Sequence, residues 1–293
     1  MILVTGASGF IASYVIERLA ERGEEVTALD IKEKKFLQKN VRFVKADVRD
    51  GEAVAEIAKG CGGIIHLAAQ ISVQKSVEEP LYDFEVNALG TLNALEAARK
   101  NGMKRFVYSS SAAIYGKPVK IPISEEEEPA PISPYGVSKL AGERYVLNYA
   151  RVHDLGAVAL RIFNVYGKGQ AMNDYAGVIT KFKENISAGK PPVIYGDGKQ
   201  VRDFVNVNDV ADAIVKAYYS GVKGEAVNIG SGKGVSVLEL AEMMVKAGGK
   251  PLKPIFEKER LGDIKESVAD VGKAKELLKW SAKVGLEEGL GEV

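Results

Sequence analysis

The first half of the chain alternates short apolar runs with longer segments whose apolar residues recur at helical spacing. Such runs are typical of parallel strands buried on both faces, and the segments between them predict amphipathic helices. The repeated strand–helix order predicts an α/β fold built on a doubly wound parallel sheet. Strands are predicted over residues 2–5, 26–29, 41–44, 63–67, 105–108 and 158–162, and helices over about 10–22, 52–58, 81–100 and 134–153.

From about residue 165 the pattern loosens, and glycine-rich loops separate shorter elements. This change predicts a second, smaller α/β lobe, with helices over residues 175–187, 208–220, 237–246 and 271–279. We expect the first domain to comprise residues 1–166 plus about 200–231, and the second to comprise about 167–199 plus 232–293. The acidic stretch 125–128, flanked by prolines, is predicted to be a surface loop without a function.

A glycine turn follows the first predicted strand. That strand runs into Gly6-Ala7-Ser8-Gly9 and then a helix, and the second strand ends at Asp30. Glycines let the backbone approach a pyrophosphate at the helix N-terminus, and an acid after the second strand can bind ribose hydroxyls. This order predicts a dinucleotide-binding Rossmann domain over which the second lobe closes. Asp30 would repel a 2′-phosphate, so NAD is favoured over NADP although Lys32, Lys34 and Lys35 follow.

A tyrosine and a lysine four residues apart lie on one face of a later predicted helix. Ser133 is suited to cap that helix and Pro134 to begin it, which places Tyr135 and Lys139 near its start. A lysine ammonium and the positive end of the helix dipole both favour a phenolate. We therefore expect Lys139 to lower the pKa of Tyr135, so that the pair can transfer protons near neutral pH.

Composition excludes several other kinds of site. The chain has two histidines, His66 and His153, and one cysteine, Cys61, so Cys- or His-rich zinc sites are excluded and no metal is expected. His66 is predicted to pack at a strand end rather than to act in catalysis. The single cysteine excludes an internal disulfide and favours a reducing compartment, the cytoplasm.

Charge and hydropathy argue against two classes of partner. Lys plus Arg number 40 and Asp plus Glu 39 among 293 residues, so no bulk attraction to nucleic acid or to an anionic membrane is expected. The first residues lack the pattern of a signal peptide, and no apolar run reaches the ~18 residues of a membrane span.

Several motifs together resemble those of the extended short-chain dehydrogenase/reductases, and among these the nucleotide-sugar 4-epimerases of the UDP-glucose 4-epimerase type. The resemblance covers essentially the whole chain. The motifs that carry it are residues 5–11, 66–69, 109–116, 135–139, 161–167, 196–198, 201–205 and 260–263.

The resemblance implies a role for each matching residue. Tyr135 is similar to the family's catalytic base, Lys139 to its partner on the nicotinamide ribose, and Ser111 to the residue that hydrogen-bonds the reacting hydroxyl. Positions similar to those that contact NAD are Gly6, Ser8, Gly9, Phe10, Ile11, Asp30, Asp47, Val48, Leu67, Ala68, Ala69, Asn87, Ser109, Tyr135, Lys139 and Phe163. Positions similar to those that contact the nucleotide sugar are Ser111, Asn164, Arg202, Arg260, Asp263 and Ser267.

The implied reaction is inversion of a nucleoside-diphosphate sugar at C4 through a transient 4-keto sugar. Related dehydratases carry an Asp-Glu pair directly after the catalytic Ser/Thr, and related decarboxylases a Glu, whereas this chain has Ala112 and Ala113. Neither alanine can move a proton, which argues against both reactions. A reductase that releases its product, and a non-catalytic NAD-binding interaction protein, remain alternatives.

The resemblance also implies an assembly and a substrate range. It indicates a homodimer formed through the helices over residues 81–100 and 133–153. Ser267 is similar to the position that gates the sugar's C2 substituent, and its small side chain predicts that the N-acetylated UDP-sugars are accepted alongside UDP-glucose and UDP-galactose. The base, the sugar and the pathway are left open.

Overall fold

The computed structural model describes residues 1–170, 177–249, 251–259 and 264–293. In chain order the strands are β1 (Ile2–Thr5), β2 (Val26–Asp30), β3 (Val41–Lys45), β4 (Gly63–His66), β5 (Arg105–Ser111), β6 (Gly156–Ile162), β7 (Asn164–Tyr166), β8 (Val193–Tyr195), β9 (Val201–Asn206), β10 (Glu225–Ile229), β11 (Gly234–Ser236), β12 (Ile255–Glu257) and β13 (Glu266–Ser267). The helices are α1 (Phe10–Glu21), α2 (Gly51–Ile57), α3 (Val73–Glu78), α4 (Pro80–Phe84), α5 (Gly90–Lys100), α6 (Pro134–Val152), α7 (Val178–Ser187), α8 (Val207–Tyr219), α9 (Val237–Ala247), α10 (Gly272–Leu278) and α11 (Leu286–Leu290).

A seven-stranded sheet with the order β3–β2–β1–β4–β5–β6–β10 forms the centre of the molecule, and its neighbouring strands all run parallel. β1 is buried along its whole length, as its unbroken apolar sequence requires. The doubly wound parallel sheet predicted from the sequence is confirmed. The strand order reverses beside β1, and ligands of such sheets bind at the carboxyl ends of the strands near that point.

Helices cover both faces of this sheet. On one face, Val15 and Leu19 of α1 pack with Val210 of α8 in one apolar core. On the other face, Leu95 of α5 and Val146 of α6 belong to a second core. The apolar stripes that predicted these helices are therefore the surfaces that bury the sheet.

The helix predicted over residues 81–100 differs from expectation. It begins at Pro80 and is interrupted by a π-helical turn, Glu85–Leu89, before α5. Single π turns occur frequently at functional sites. Asn87, in this turn, is buried and makes side-chain hydrogen bonds to neighbouring segments, which a helical apolar pattern does not reveal.

The second lobe is smaller and less regular. β11, β9 and β13 form a sheet in which β7 also pairs with β9, and β8 pairs with β12. Phe182 of α7, Ile194 of β8 and Leu240 of α9 share its apolar core. The chain then returns to the large sheet, because Trp280 packs in the first core and its Nε1–H donates to the Asp209 carbonyl at 3.0 Å. The domain boundaries given above remain a prediction.

None of the helices in the described part of the chain is long and apolar enough to cross a membrane.

Candidate active site

The turn between β1 and α1 has the geometry of a phosphate-binding loop. Gly6 has φ +68°, and a Cβ at this position would lie 2.6 Å from the Ala68 nitrogen, so only glycine fits. Gly9 caps α1 without a side-chain hydrogen bond, which leaves the N–H groups of Phe10 and Ile11 without a capping acceptor. Open N–H groups at a helix N-terminus suit a pyrophosphate, so this turn fits a dinucleotide.

Asp30 is fixed at the end of β2. Its Oδ2 accepts the Ser8 N–H at 3.0 Å, and its Oδ1 accepts the Lys32 N–H at 2.8 Å. A carboxylate has about four lone-pair sites, so both oxygens can still accept ribose hydroxyls. Lys34 Nζ donates to the Ser13 hydroxyl of α1 at 2.5 Å. Lys32 and Lys35 are exposed.

Asp47 and Val48 follow β3. The Asp47 carboxylate accepts from the Arg49 guanidinium at 2.7 Å, and these hydrogen bonds hold the pKa of Asp47 below its usual value. Val48 is buried in the core beneath α5, where Gly90 leaves room for it. Its contribution to a cofactor site would therefore come through its backbone.

The half-buried segment Leu67, Ala68 and Ala69 leaves β4 and faces the glycine turn. The Thr5 hydroxyl accepts the Leu67 and Ala68 N–H groups at 3.2 and 3.3 Å and lies 2.8 Å from His66 Nδ1. These contacts fix the segment against the end of β1.

His66 is neutral and buried, which confirms the packing role expected for it. Its Nε2 lies 3.2 Å from the Thr91 hydroxyl, and that hydroxyl donates to the Asn87 carbonyl at 2.6 Å. Thr91 must then accept from His66, so the proton lies on Nε2. Burial lowers the pKa of His66 to about 3.

The side-chain amide of Asn87 uses both its oxygen and its nitrogen in hydrogen bonds. Its Oδ1 accepts the Gln70 N–H at 2.8 Å, and its Nδ2 donates to the Gln70 carbonyl, to Asp83 at 3.1 Å and to Ser138 at 3.1 Å. The structure therefore brings Asn87 beside the catalytic helix rather than into an open cleft. Its side chain holds the cofactor-facing segment after β4 against α6.

The three predicted catalytic residues meet at the carboxyl end of β5. Ser109 lies within that strand, and Ser111 ends it and accepts the Ala113 N–H at 3.2 Å, which starts the 3-10 turn Ala112–Ile114. Ser133 caps α6 by accepting the Gly136 N–H at 3.1 Å, as predicted. The Tyr135 hydroxyl is then hydrogen-bonded to Ser111.

The expected effect on the pKa of Tyr135 is not observed. Burial raises this pKa above its usual value, although the hydrogen bond from Ser111 opposes the rise. Lys139 is itself buried, with Nζ 4.7 Å from the centre of the Tyr108 ring, and burial lowers its pKa to about 7. The prediction was wrong because desolvation reduces the charge on the lysine that was expected to stabilise the phenolate.

The predicted substrate residues lie where β6 leads into the second lobe. Phe163, which was predicted to contact NAD, precedes them and is buried, with its ring 6.5 Å from that of Tyr115. Asn164 follows and donates to the Asp203 carbonyl at 3.2 Å. Arg202 of β9 is the strand partner of Ser267 in β13, so these two are neighbours. The predicted residues Arg260 and Asp263 lie outside the described residues.

The strand segment after Ser267 is joined to the loop that follows the 3-10 turn. The Ile123 N–H donates to the Val268 carbonyl at 2.7 Å, and the Asp270 N–H donates to the Ile123 carbonyl at 2.8 Å. The Asp203 carboxylate accepts the Ala269 N–H at 3.1 Å. These bonds fix the position of Ser267 relative to the large sheet.

A cleft of about 460 Å³ opens in the second lobe beside β9. It is lined by Tyr195, Gly196, Asp197, Lys199, Gln200, Glu259, Ile264 and Lys265. Glu259 and Ile264 directly flank residues 260–263 in the sequence. This cleft was not predicted from the sequence, although residues 196–198 form one of the motifs that carry the family resemblance.

Comparison with known proteins identifies the family. Residues 2–230 match the profile of the NAD dependent epimerase/dehydratase family. The chain belongs to this family. It is 40% identical to a UDP-glucose 4-epimerase of Mycolicibacterium smegmatis over 99% of this chain and 96% of that protein.

Solved structures of two family members resemble it closely. The structure of a UDP-glucose 4-epimerase from Thermotoga maritima with UDP-glucose has a TM-score of 0.94 and 40% identity, and covers 99% of this chain and 96% of its own. A UDP-N-acetylglucosamine 4-epimerase from Methanobrevibacter ruminantium, in complex with UDP-N-acetylmuramic acid, has a TM-score of 0.94, 33% identity and the coverages 99% and 96%.

A buried ion pair behind the predicted catalytic residues of this epimerase/dehydratase family member was not predicted from the sequence. Arg161 of β6 binds Glu143 of α6 at 2.7 Å, and the Ser110 hydroxyl donates to the same carboxylate at 2.7 Å. Glu143 lies four residues after Lys139, on the same face of α6 as Tyr135 and Lys139. That spacing was the available signal.

The acidic stretch 125–128 is in part a structural element, which corrects the prediction of a surface loop without a function. Glu125 accepts the Asn228 N–H at 2.7 Å with its carboxylate, and its carbonyl accepts from Arg161 at 3.0 Å. Glu126 and Glu128 are exposed, as expected.

Proposed function

We propose that this protein catalyses NAD-dependent epimerisation at C4 of a nucleoside-diphosphate sugar, with UDP-glucose and UDP-galactose as the plain pair of substrates. The observation that carries the proposal is the meeting of Ser111, Tyr135 and Lys139 at the carboxyl edge of the sheet, beside a turn suited to a dinucleotide. The UDP-glucose 4-epimerases to which the chain is similar support it.

The cofactor residues fit NAD. The glycine turn and the first N–H groups of α1 would hold the pyrophosphate, and Asp30 would accept from the adenosine ribose hydroxyls. Lys139 would reach the nicotinamide ribose. When bound, NAD takes up hydride from the sugar C4 and gives it back to the opposite face. The Asp30 carboxylate, which would repel a 2′-phosphate, favours NAD over NADP.

Tyr135 removes the proton from the C4 hydroxyl and later returns it. Ser111 hydrogen-bonds the phenol, and the Lys139 ammonium favours the phenolate that forms. General base catalysis of this kind requires the tyrosine within hydrogen-bond reach of the sugar hydroxyl. Because burial raises the pKa of Tyr135, proton removal requires groups that favour the phenolate, and a protonated Lys139 would be one of them.

Two alanines separate this reaction from a dehydration. Ala112 and Ala113 occupy the 3-10 turn directly after Ser111, where an acid or a base would be needed to eliminate water from the sugar. A methyl group neither donates nor accepts a proton. The Ser111, Tyr135 and Lys139 side chains can therefore support oxidation and reduction at C4 but not the elimination of water.

The second lobe would hold the nucleotide while the sugar turns over. Arg202 and the predicted residues Arg260 and Asp263 supply charges suited to a diphosphate and its ribose, and Asn164 adds an amide. The cleft lined by Tyr195 lies beside β9, which carries Arg202, and its size suits a nucleoside. Anchoring by the nucleotide allows the 4-keto sugar to present its other face without leaving.

The size of the Ser267 side chain would determine how large a substituent the sugar can carry at C2. It is a small side chain on β13, next to Arg202. We infer that UDP-N-acetylglucosamine and UDP-N-acetylgalactosamine are also substrates, which the similarity to a UDP-N-acetylglucosamine 4-epimerase supports.

We also infer a homodimer, and the reducing compartment expected for it is the cytoplasm. Leu81 and Phe84 of α4, and Val137, Tyr145 and Val152 of α6, are exposed apolar residues. α4 and α6 contact each other, so these residues belong to neighbouring helices. A second copy of the chain would cover them.

The deciding experiment supplies purified protein and NAD with UDP-glucose, UDP-galactose and the N-acetylated pair, and separates the products by chromatography. C4 epimers at equilibrium, without net NADH, support the proposal. Stoichiometric formation of NADH with release of an oxidised sugar, the reverse of a reductase reaction, would indicate an oxidoreductase that releases its product. Absence of turnover with retained NAD binding would indicate a non-catalytic protein.

A further inference from the structure

Asp83 lies at the centre of a buried polar cluster beside the proposed catalytic residues. It is 1% exposed and accepts three hydrogen bonds, from the Ser138 hydroxyl at 2.5 Å, from Gln70 Nε2 at 2.9 Å and from Asn87 Nδ2 at 3.1 Å. The donors come from α6, from the segment after β4 and from the π turn. One carboxylate therefore joins three segments that surround the site.

The Asp83 carboxylate, on which the cation Lys139 acts, is held by neutral donors rather than by an ion pair. Its three donors are a hydroxyl and two amides, and none of the described lysine, arginine or histidine residues forms an ion pair with it. Glu143, the other buried carboxylate near Lys139, is paired with Arg161. A buried charge acts through a low dielectric. The Asp83 carboxylate, which has no ion-pair partner, therefore contributes more to the local electrostatic potential than the paired Glu143 does.

The other groups that face Lys139 carry little net charge. His66 of β4 is neutral, and Tyr108 of β5 presents its ring to Nζ. The field of Glu143 of α6 is offset by Arg161 of β6. On α3, Lys75 is paired with Glu79 at 3.6 Å. Of the carboxylates that favour the charged form of Lys139, Asp83 therefore acts more strongly than Glu143.

We propose that Asp83 is a positioning residue whose negative charge keeps the proton on Lys139 and thereby sets the pH range in which the Tyr135–Lys139 pair works. The proposal rests on the proposed function for the roles of these two residues. Burial alone would leave Lys139 neutral at physiological pH, and Asp83 raises its pKa against that effect. Asp83 also raises the pKa of Tyr135, as a smaller effect than burial and the opposing Ser111 hydrogen bond, so one carboxylate acts on both groups.

Asp83→Asn tests this inference with little change of shape. The new amide can donate to the Ser138 hydroxyl, which has the Tyr135 carbonyl at 3.0 Å as its own acceptor, and the amide oxygen can accept from Gln70 and Asn87. The variant removes the charge and keeps the connections. Asp83→Ser is a second neutral variant, Asp83→Glu restores the charge, and Asp212→Asn on α8 removes an exposed carboxylate as the control.

The first readout is the titration of Lys139 by NMR in protein labelled at the lysine ε-carbon, with the signal assigned from Lys139→Arg. We expect the pKa of Lys139 to fall by about 1 unit in Asp83→Asn, to recover in Asp83→Glu and to be unchanged in Asp212→Asn. Equal titration in the wild type and in the neutral variants would overturn the proposal. If Asp83→Asn does not fold, Asp83→Ser is read instead. Failure of both to fold, with Asp83→Glu folded, would show a purely structural role and also overturn it.

The second readout is the pH profile of epimerisation. Removing a negative charge lowers the pKa of every group near it, so both limbs of the profile should move to lower pH in Asp83→Asn. A uniform loss of rate without a shift would contradict the inference. An inactive wild type would refute the proposed function instead, and the NMR titration, which needs no turnover, would still decide the role of Asp83.

Discussion

At the scale of single residues, burial opposes charge on both members of the Tyr135–Lys139 pair. The pKa of the tyrosine is raised, and that of the lysine is lowered to about 7. Uncharged forms are favoured in each case because the pair has lost solvent. Proton transfer therefore depends on the hydrogen bond from Ser111 and on the charges nearby.

The first residue-scale prediction is that Tyr135→Phe folds and binds NAD but loses turnover by ~10²–10⁴-fold, because one hydroxyl is lost and the ring is kept. Rates with UDP-galactose and calorimetric NAD binding test it. Tyr145→Phe, on the exposed face of α6, is the control and should retain its rate. Turnover of Tyr135→Phe within tenfold of wild type would remove Tyr135 from its role.

The second prediction follows from Lys139. Its folded pKa of about 7 lies below the value of about 10.5 that an unfolded chain would have, so the unfolded state binds more protons between these values and stability rises with pH. The contribution over that window is on the order of 5 kcal/mol. Urea unfolding without NAD from about pH 7 to 9.5 should show the rise, and Lys139→Met should reduce it. Identical slopes in the two proteins would contradict this prediction.

The third prediction concerns Ser267, whose small side chain leaves room beside the sugar. Ser267→Tyr should suppress turnover of UDP-N-acetylglucosamine much more than that of UDP-glucose, since overpacking a tight pocket costs ~1–3 kcal/mol or more. Ser267→Ala, which leaves the room open, is the matched control. Equal loss on both substrates after Ser267→Tyr would show that the C2 substituent is limited elsewhere.

At the scale of the elements, α6 is attached to the sheet by a buried ion pair as well as by apolar packing. Arg161 of β6 and Glu143 of α6 are 5% and 0% exposed at their side chains, and Arg161 also donates to the Tyr115 hydroxyl at 2.8 Å. Breaking such a pair leaves one buried charge without a partner. The orientation of the catalytic helix depends on both members.

Arg161→Met should therefore lower the free energy of unfolding by ~3–5 kcal/mol, as broken buried pairs do. Arg99→Met is the comparison, because Arg99 pairs with Glu96 at 2.8 Å on the surface and such exposed pairs contribute little to stability. Urea denaturation of the two variants measures the difference. Similar losses would mean that the buried pair adds no special stability.

The elements that could be predicted from the sequence are those fixed by local pattern. The strands and helices of the first half, and the placement of Tyr135 and Lys139 by Ser133 and Pro134, depend on neighbours a few residues away. β5 was predicted to end at Tyr108 but continues to Ser111, because its serines pair with β6. That extension depends on tertiary contact rather than on hydrophobicity.

The buried polar residues could not be predicted in this way. Asp83 and Ser138 are 55 positions apart, and Glu143 and Arg161 are 18 apart. In the sequence each is one charged or polar residue on an amphipathic helix or in a strand, which usually indicates exposure. Only the fold brings their partners together. The π-helical turn at Asn87 could not be predicted from the sequence for the same reason.

At the scale of the whole molecule, the exposed apolar residues of α4 and α6 set the expected assembly. Replacing Phe84 and Val137 together by Lys should convert the homodimer into a monomer, because two charges would have to be buried in its interface. Light scattering coupled to gel filtration measures the mass. Phe256→Lys on β12 is the control, since Phe256 is equally exposed but lies in the other lobe. A monomeric wild type, or a double variant that stays dimeric, would contradict this assembly.

The bonds between Ile123 and the strand after Ser267 have a consequence for how such a protein diversifies. They attach Ser267, the residue proposed to limit the sugar's C2 group, to the part of the fold that carries Tyr115 and α6, and the bonds are made by the backbone of the neighbouring residues rather than by the Ser267 side chain. Selection can therefore exchange the side chain at position 267 without disturbing the proton-transfer residues. A single substitution at position 267 would then change whether a related protein accepts sugars with a bulky C2 group.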